Sequence, residues 1–84
     1  MKKIEISPHA YQQMAERGAL EAEVMAAVQQ GEPEAVRMGR VMYRKIFPFD
    51  GEWRGRRYRL KQVAPVVAEE SDKLVVVTVY VFYH

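Results

Sequence analysis

The sequence predicts an α+β domain: an N-terminal helical hairpin packed on a three- to four-stranded antiparallel β-meander. Three observations carry that expectation. Residues 8–31 repeat apolar side chains at three- and four-residue spacing. The stretch from residue 41 onward is rich in β-branched and aromatic residues punctuated by Asp-Gly and Pro. The ending "KLVVVTVYVFYH" holds ten uncharged residues, Leu74 to Tyr83, dominated by valine.

The first helix starts at "ISPHAYQQMAERGA", with Ser7 as N-cap and Pro8 at the first helical position. Ala10, Tyr11, Met14 and Ala15 give it one apolar face. Arg17 suits the negative end of its dipole, and Gly18 supplies a left-handed cap. A second helix, "LEAEVMAAVQQG", has Leu20, Val24, Ala27 and Val28 as its buried stripe and ends at Gly31. "GRVMYRKIF" reads as a strand and "PFDGEW" as the turn after it. "RRYRLKQVAPVVAEE" reads as a second strand region, broken or edged at Pro65. "ESDK" leads into the final strand, and "KKIEIS" alternates briefly enough to add a marginal edge strand. Met14, Met25, Met38 and Met42 read as core filler. There is no linker, repeat or low-complexity segment. Residues 1–84 therefore read as one domain, with 1–31 as the helical hairpin and 37–84 as the sheet.

Eighty-four residues with 49% hydrophobic and 29% charged side chains describe an ordinary globular chain with a modest core. Absence of cysteine excludes disulfides and thiolate metal sites, and two histidines are too few for a structural zinc site. No metal and no cofactor are expected. The N-terminus lacks an apolar signal region, and the terminal apolar run is about half the length of a membrane helix. The expected location is the cytoplasm, with no membrane partner.

The net charge of +2 conceals an asymmetry. Residues 1–36 hold three basic and six acidic side chains, whereas residues 37–61 hold nine basic and two acidic ones. A basic middle suits a polyanion, although a solvated cationic sheet surface has the same composition. Alternation along the last strand places Val75, Val77, Val79, Val81 and Tyr83 on one face, under the helices. Leu74, Val76, Thr78, Tyr80, Phe82 and His84 share the other. Register decides whether Arg57, Arg59 and Lys61 lie beside Thr78 and Tyr80. The run "VVVTVYVF" also has a steric-zipper composition, so a central place in the sheet or an oligomer interface is expected for it.

The helical stretch "HAYQQMAERGA…LEAEVMAAVQQGEP" resembles domain-of-unknown-function family 4258. His9, Ala10, Met14, Glu16, Arg17, Gly18, Glu23, Val24 and Gly31 match its motif, and "VVVTVY" is similar to its closing strand. Gln13 departs from it, standing where the family often carries an arginine. Ala19 likewise replaces a branched residue. The resemblance implies kinship with RelE-like and barnase/colicin-like ribonuclease toxins, hence a RelE-like fold, an RNA substrate and an antitoxin protein as partner.

Metal-free RNA cleavage needs a base for the 2′-hydroxyl, an acid for the leaving oxygen and cations for the phosphorane charge. His9, Gln13 and Arg17 share one helix stripe. The candidate catalytic residues are His9, Arg17 and Tyr80. The candidate nucleic-acid binders are Arg57, Arg59, Lys61, Arg44 and Thr78, with Trp53 or Tyr58 able to stack a base. Each has a structural alternative: His9 as a hydrogen-bonding first-turn residue, Arg17 as a helix-end cation, Thr78 and Tyr80 as favoured strand residues. Two functional readings follow: an RNA-binding, metal-independent endoribonuclease, or a non-catalytic interaction module that forms a homo-oligomer or docks an acidic partner. A DNA-binding helical hairpin is disfavoured, because residues 1–36 are net acidic.

Overall fold

The computed structural model describes residues 2–84. Strand β1 (Lys3–Ile6) leads into helices α1 (Pro8–Arg17) and α2 (Glu21–Gln30). Strands β2 (Glu32–Ala35), β3 (Val41–Trp53), β4 (Arg56–Glu69) and β5 (Lys73–Tyr83) follow, with a single 3₁₀ turn at Arg37–Gly39. The molecule is thus α+β, with two helices on a five-stranded sheet of order β1-β5-β4-β3-β2. It is a mixed sheet, not the purely antiparallel three- to four-stranded one expected. β2 to β5 pair antiparallel, while β1 lies parallel to β5. The division at residues 31 and 37 also shifts, since β1 precedes the helices and β2 fills the intervening residues.

Local chemistry explains the helix ends. The Ser7 hydroxyl accepts the Ala10 N–H at 3.1 Å, and Pro8 occupies the first turn. Gly18 takes φ +80° and closes α1 with its N–H on the Met14 carbonyl at 2.8 Å. At α2, the Glu23 carboxylate accepts the Leu20 N–H at 2.9 Å. Leu20 is therefore a cap residue, 63% exposed, and not part of the buried stripe. Ala10 and Met14 of α1 and Val24 and Val28 of α2 meet Val63, Val67, Val76 and Val79 in one core. Each fully buried valine there contributes about 1.5–3 kcal/mol. Tyr11 is 45% exposed and Met38 82% exposed, so neither is core. Tyr11 turns to Glu21 instead, and Met38 occupies a loop position with φ +63°.

Two irregularities alter the expected strand pattern. In β5 the register shifts between Val66 and Val67 of β4, leaving Val77 as an extra residue. The bulge reverses alternation, so Val76 and Val79 are both buried, where strict alternation would separate them. In β3, "PFDGEW" is not the turn. Asp50, with φ +45°, and a register shift between Pro48 and Gly51 make a second bulge there. The chain reverses at Arg54-Gly55, whose φ values of +51° and +83° suit a tight hairpin turn. Pro65 lies inside β4, buried, where the β3 ladder skips Tyr43 and Arg44. That gap accommodates its missing N–H.

Candidate nucleic-acid interface

The helices cover one face of the sheet and leave the other uncovered. Tyr80 pairs with Ala64 and Phe82 with Gln62, so the two aromatic side chains project on the uncovered face, 40% and 42% exposed. Beside them a cleft of about 400 Å³ is lined by Arg37, Met38, Arg40, Met42, Thr78 and Tyr80, among others. The loop between β2 and β3 forms its wall, closed by the Val36 N–H on the Arg40 carbonyl at 3.0 Å. Ile46 and Leu60, 55% and 41% exposed, extend the same apolar surface.

At the edge of β5 the expected stripe on α1 is assembled, but with a structural task. The Gln13 side-chain oxygen accepts the Val79 N–H at 3.0 Å and also the Thr78 hydroxyl. Arg17 donates to the Val79 carbonyl at 2.7 Å, and its guanidinium lies 5.3 Å from the Tyr80 ring centroid. Thus Arg17, Thr78 and Tyr80 come together. His9 is exposed one turn before Gln13 on the same helix.

The basic residues divide by face. Lys61 pairs with Tyr83 across the ladder and points under the helices, 4% exposed. Its ammonium meets Glu23 at 2.7 Å and the Gly18 carbonyl. It therefore does not join Arg57 and Arg59 in a row open to a polyanion. The reason is alternation: Leu60 and Gln62 take the open face and Lys61 the covered one. Arg57 and Arg59 are exposed; Arg57 lies 3.5 Å from Asp50. Arg44 is held at 3.0 Å by Glu34. Arg37, Arg40 and Arg59 form no ion pair among the described residues.

Sequence reasoning passed over Arg37, Arg40 and Phe82 as site residues. The signal for the arginines is the "RMGR" bracket around a Gly, a tight loop that projects both. Trp53 stacks on Tyr83 at 5.1 Å, and Tyr58 lies 5.5 Å from the same ring, so both pack internally, away from the open face. Burial, seconded by the Glu23 carboxylate and partly offset by Arg54, pushes the Tyr83 phenol above its ordinary value. Among the described residues no cluster of three or more His, Asp or Glu side chains could hold a metal ion. No helix among the described residues is long and apolar enough to cross a membrane.

The family model described as "Domain of unknown function (DUF4258)" matches residues 6–81. The chain belongs to that family. No curated protein and no solved structure matches it. The link from the DUF4258 family to RelE-like or barnase-like toxins receives no support from these comparisons. The span matched in this DUF4258 domain contains His9, Gln13, Arg17, Thr78, Tyr80 and the whole basic stretch; Phe82 lies just beyond it.

Proposed function

We propose that the uncovered sheet face binds single-stranded RNA. The observation that carries this is the exposed Tyr80–Phe82 pair beside Arg37 and Arg40 on one apolar cleft. Aromatic faces stack bases with little regard to sequence, and guanidiniums clamp phosphates with a fixed fork of donors. Arg59, exposed beside Leu60 at the far end of the sheet, adds a further cation. In the catalytic form of the reading, Arg17 holds the scissile phosphate with the donors that Val79 leaves free. His9 takes the proton from the 2′-hydroxyl, the 2′-oxygen attacks phosphorus, and the 5′-oxygen leaves with a proton from Tyr80 or from His9 after relay. The products carry a cyclic phosphate and a 5′-hydroxyl. RelE-like kinship and an antitoxin partner belong to this same reading.

Fluorescence anisotropy with mixed-sequence single-stranded RNA tests the binding half. Affinity should fall with salt at a slope of about 0.7 per neutralised phosphate. Tyr80→Ala with Phe82→Ala should weaken binding at every salt concentration, and Arg37→Ala with Arg40→Ala should flatten the slope. Salt-insensitive or absent binding would sink the proposal. End-labelled RNA in EDTA, with wild type beside His9→Ala and Arg17→Ala, tests the cleavage half. Identical traces from all three proteins would leave a binding protein only.

The exposed apolar side chains Met38, Ile46, Leu60, Tyr80 and Phe82 favour a second reading, a non-catalytic module whose face is covered by a protein or a second copy. Concentration-dependent light scattering that shows a dimer lost in Ile46→Asp would select it.

A further inference from the structure

The free edge of β5 leads to a site on another part of the molecule. Leu60 and His84 exchange both backbone hydrogen bonds at 3.0 Å. In an antiparallel ladder the alternate residues Tyr83, Val81 and Val79 then turn their N–H and C=O groups away from β4. β1 covers the β5 edge only as far as Val76, where the Ser7 N–H closes on the Val76 carbonyl at 3.0 Å. Gln13 and Arg17 then take both backbone groups of Val79. There the cover stops, because α1 ends at Arg17 and Gly18 turns the chain away. The N–H and C=O groups of Val81 and Tyr83 are left facing outward with no backbone partner among the described residues.

That short edge forms one side of a cleft of about 330 Å³ lined by Arg17, Trp53, Arg54, Tyr80, Val81 and Tyr83. Arg54 reaches across from the β3–β4 turn, donating to the Glu16 carbonyl at 3.1 Å and lying 5.3 Å from the Trp53 ring centroid. The cleft thus presents alternating backbone donors and acceptors between two guanidiniums. A phosphate satisfies the donors and is repelled by the carbonyls, whereas an extended peptide satisfies both. A second copy of this chain pairing β5 with β5 would bring four guanidiniums together without a counter-charge. Charge complementarity therefore selects a partner with carboxylates.

We propose that β5 accepts, at Val81–Tyr83, an extended acidic segment of a partner protein as an added strand, its carboxylates held by Arg17 and Arg54. Main-chain hydrogen bonds give such strand addition its affinity, and flanking charges give it selectivity. The cleft shares Arg17 and Tyr80 with the RNA reading proposed above, but its test uses a peptide and no RNA, so the two readings can fail separately.

The probe is a fluorescein-labelled hexapeptide of alternating valine and glutamate, titrated against the full chain. Three comparisons accompany it: the same peptide N-methylated along one edge, its lysine counterpart, and the Arg54→Glu protein. Saturable binding is expected, weakened at least about tenfold in each comparison. Amide exchange at Val81 and Tyr83 should slow in the complex. No binding below about 1 mM, equal binding of the lysine or N-methylated peptide, or unchanged exchange at those two amides would overturn the proposal. A wild-type dimer that Val81→Pro converts to monomer would overturn it too, by giving the edge to a second copy. The N-methyl comparison uses unaltered protein, so it decides even if a variant fails to fold.

Discussion

The side-chain oxygen of Gln13 accepts the Val79 backbone N–H at 3.0 Å, so a helix residue takes the place of a neighbouring strand. One turn later Arg17 completes the substitution by donating to the Val79 carbonyl at 2.7 Å. An exposed strand edge invites pairing with other chains, and here two side chains four residues apart close part of it. An arginine at position 13 cannot accept either hydrogen bond. Gln13→Arg and Gln13→Ala should each lower stability by about 1–3 kcal/mol, the cost of leaving buried donors unsatisfied. Gln13→Glu, which keeps an acceptor, should lose less. Urea denaturation of the three variants checks the order, and equal losses would show that the acceptor is not what matters.

Lys61 and Arg57 stand four residues apart on β4 and should behave oppositely. The Lys61–Glu23 pair has side chains only 5% and 16% exposed, and the same ammonium also caps the Gly18 carbonyl at the end of α1. Removing one partner of such a pair costs about 3–5 kcal/mol. The Arg57–Asp50 pair is 66% and 82% exposed, and Arg57→Ala should cost about 0–1 kcal/mol. Thermal unfolding of Lys61→Ala and Arg57→Ala gives the contrast directly. A mild Lys61→Ala would mean that the buried pair is not formed in solution.

Gly18 answers two demands at once. Its φ of +80° costs an L-residue about 1–2 kcal/mol. A Cβ there would lie 2.6 Å from the Tyr83 hydroxyl and 2.7 Å from the Trp53 ring. Gly18→Ala should therefore destabilise by more than the backbone term alone and disturb the Trp53–Tyr83 stack. Near-ultraviolet circular dichroism should report the second effect. An unchanged aromatic signal would argue against the close approach.

The parallel β1–β5 pair carries a pH dependence. The Lys73 ammonium, 2.9 Å from Glu5, holds the Glu5 carboxyl below its ordinary 4.5, and Lys2 does the same for Glu69. Carboxyls lowered in the folded state stabilise it above their unfolded value, and that contribution fades as pH falls through the folded one. Lys73 is in turn raised above 10.5, chiefly by Glu5, so its share persists below that value and is lost at higher pH. The difference in denaturation midpoint between wild type and Glu5→Gln should be present at neutral pH and vanish on acidification below 4.5. A difference independent of pH would refute this.

The amino-acid sequence determined, without help from the rest of the fold, whatever depends on near neighbours. The Ser7 and Pro8 helix start, the Gly18 stop, the apolar stripe of Val24, Ala27 and Val28 and the existence of long terminal strands are all local in this sense. His9, Gln13 and Arg17 could be placed on one stripe because helix periodicity is a local property. Contacts between distant segments decided the rest. The Val77 bulge, set by pairing with β4, brought Val76 to the covered face from the open one that alternation assigned to it, while Val79 and Val81 kept the covered face expected of them. Register sent Lys61 under the helices to Glu23 while Leu60 went to the open face, and no composition could distinguish the two. The turn expected at Asp50-Gly51 became a bulge through cross-strand pairing, and the reversal moved to Arg54-Gly55. The edge of β5 was invisible in the chain, because an unpaired backbone group is defined by what the remaining elements leave uncovered.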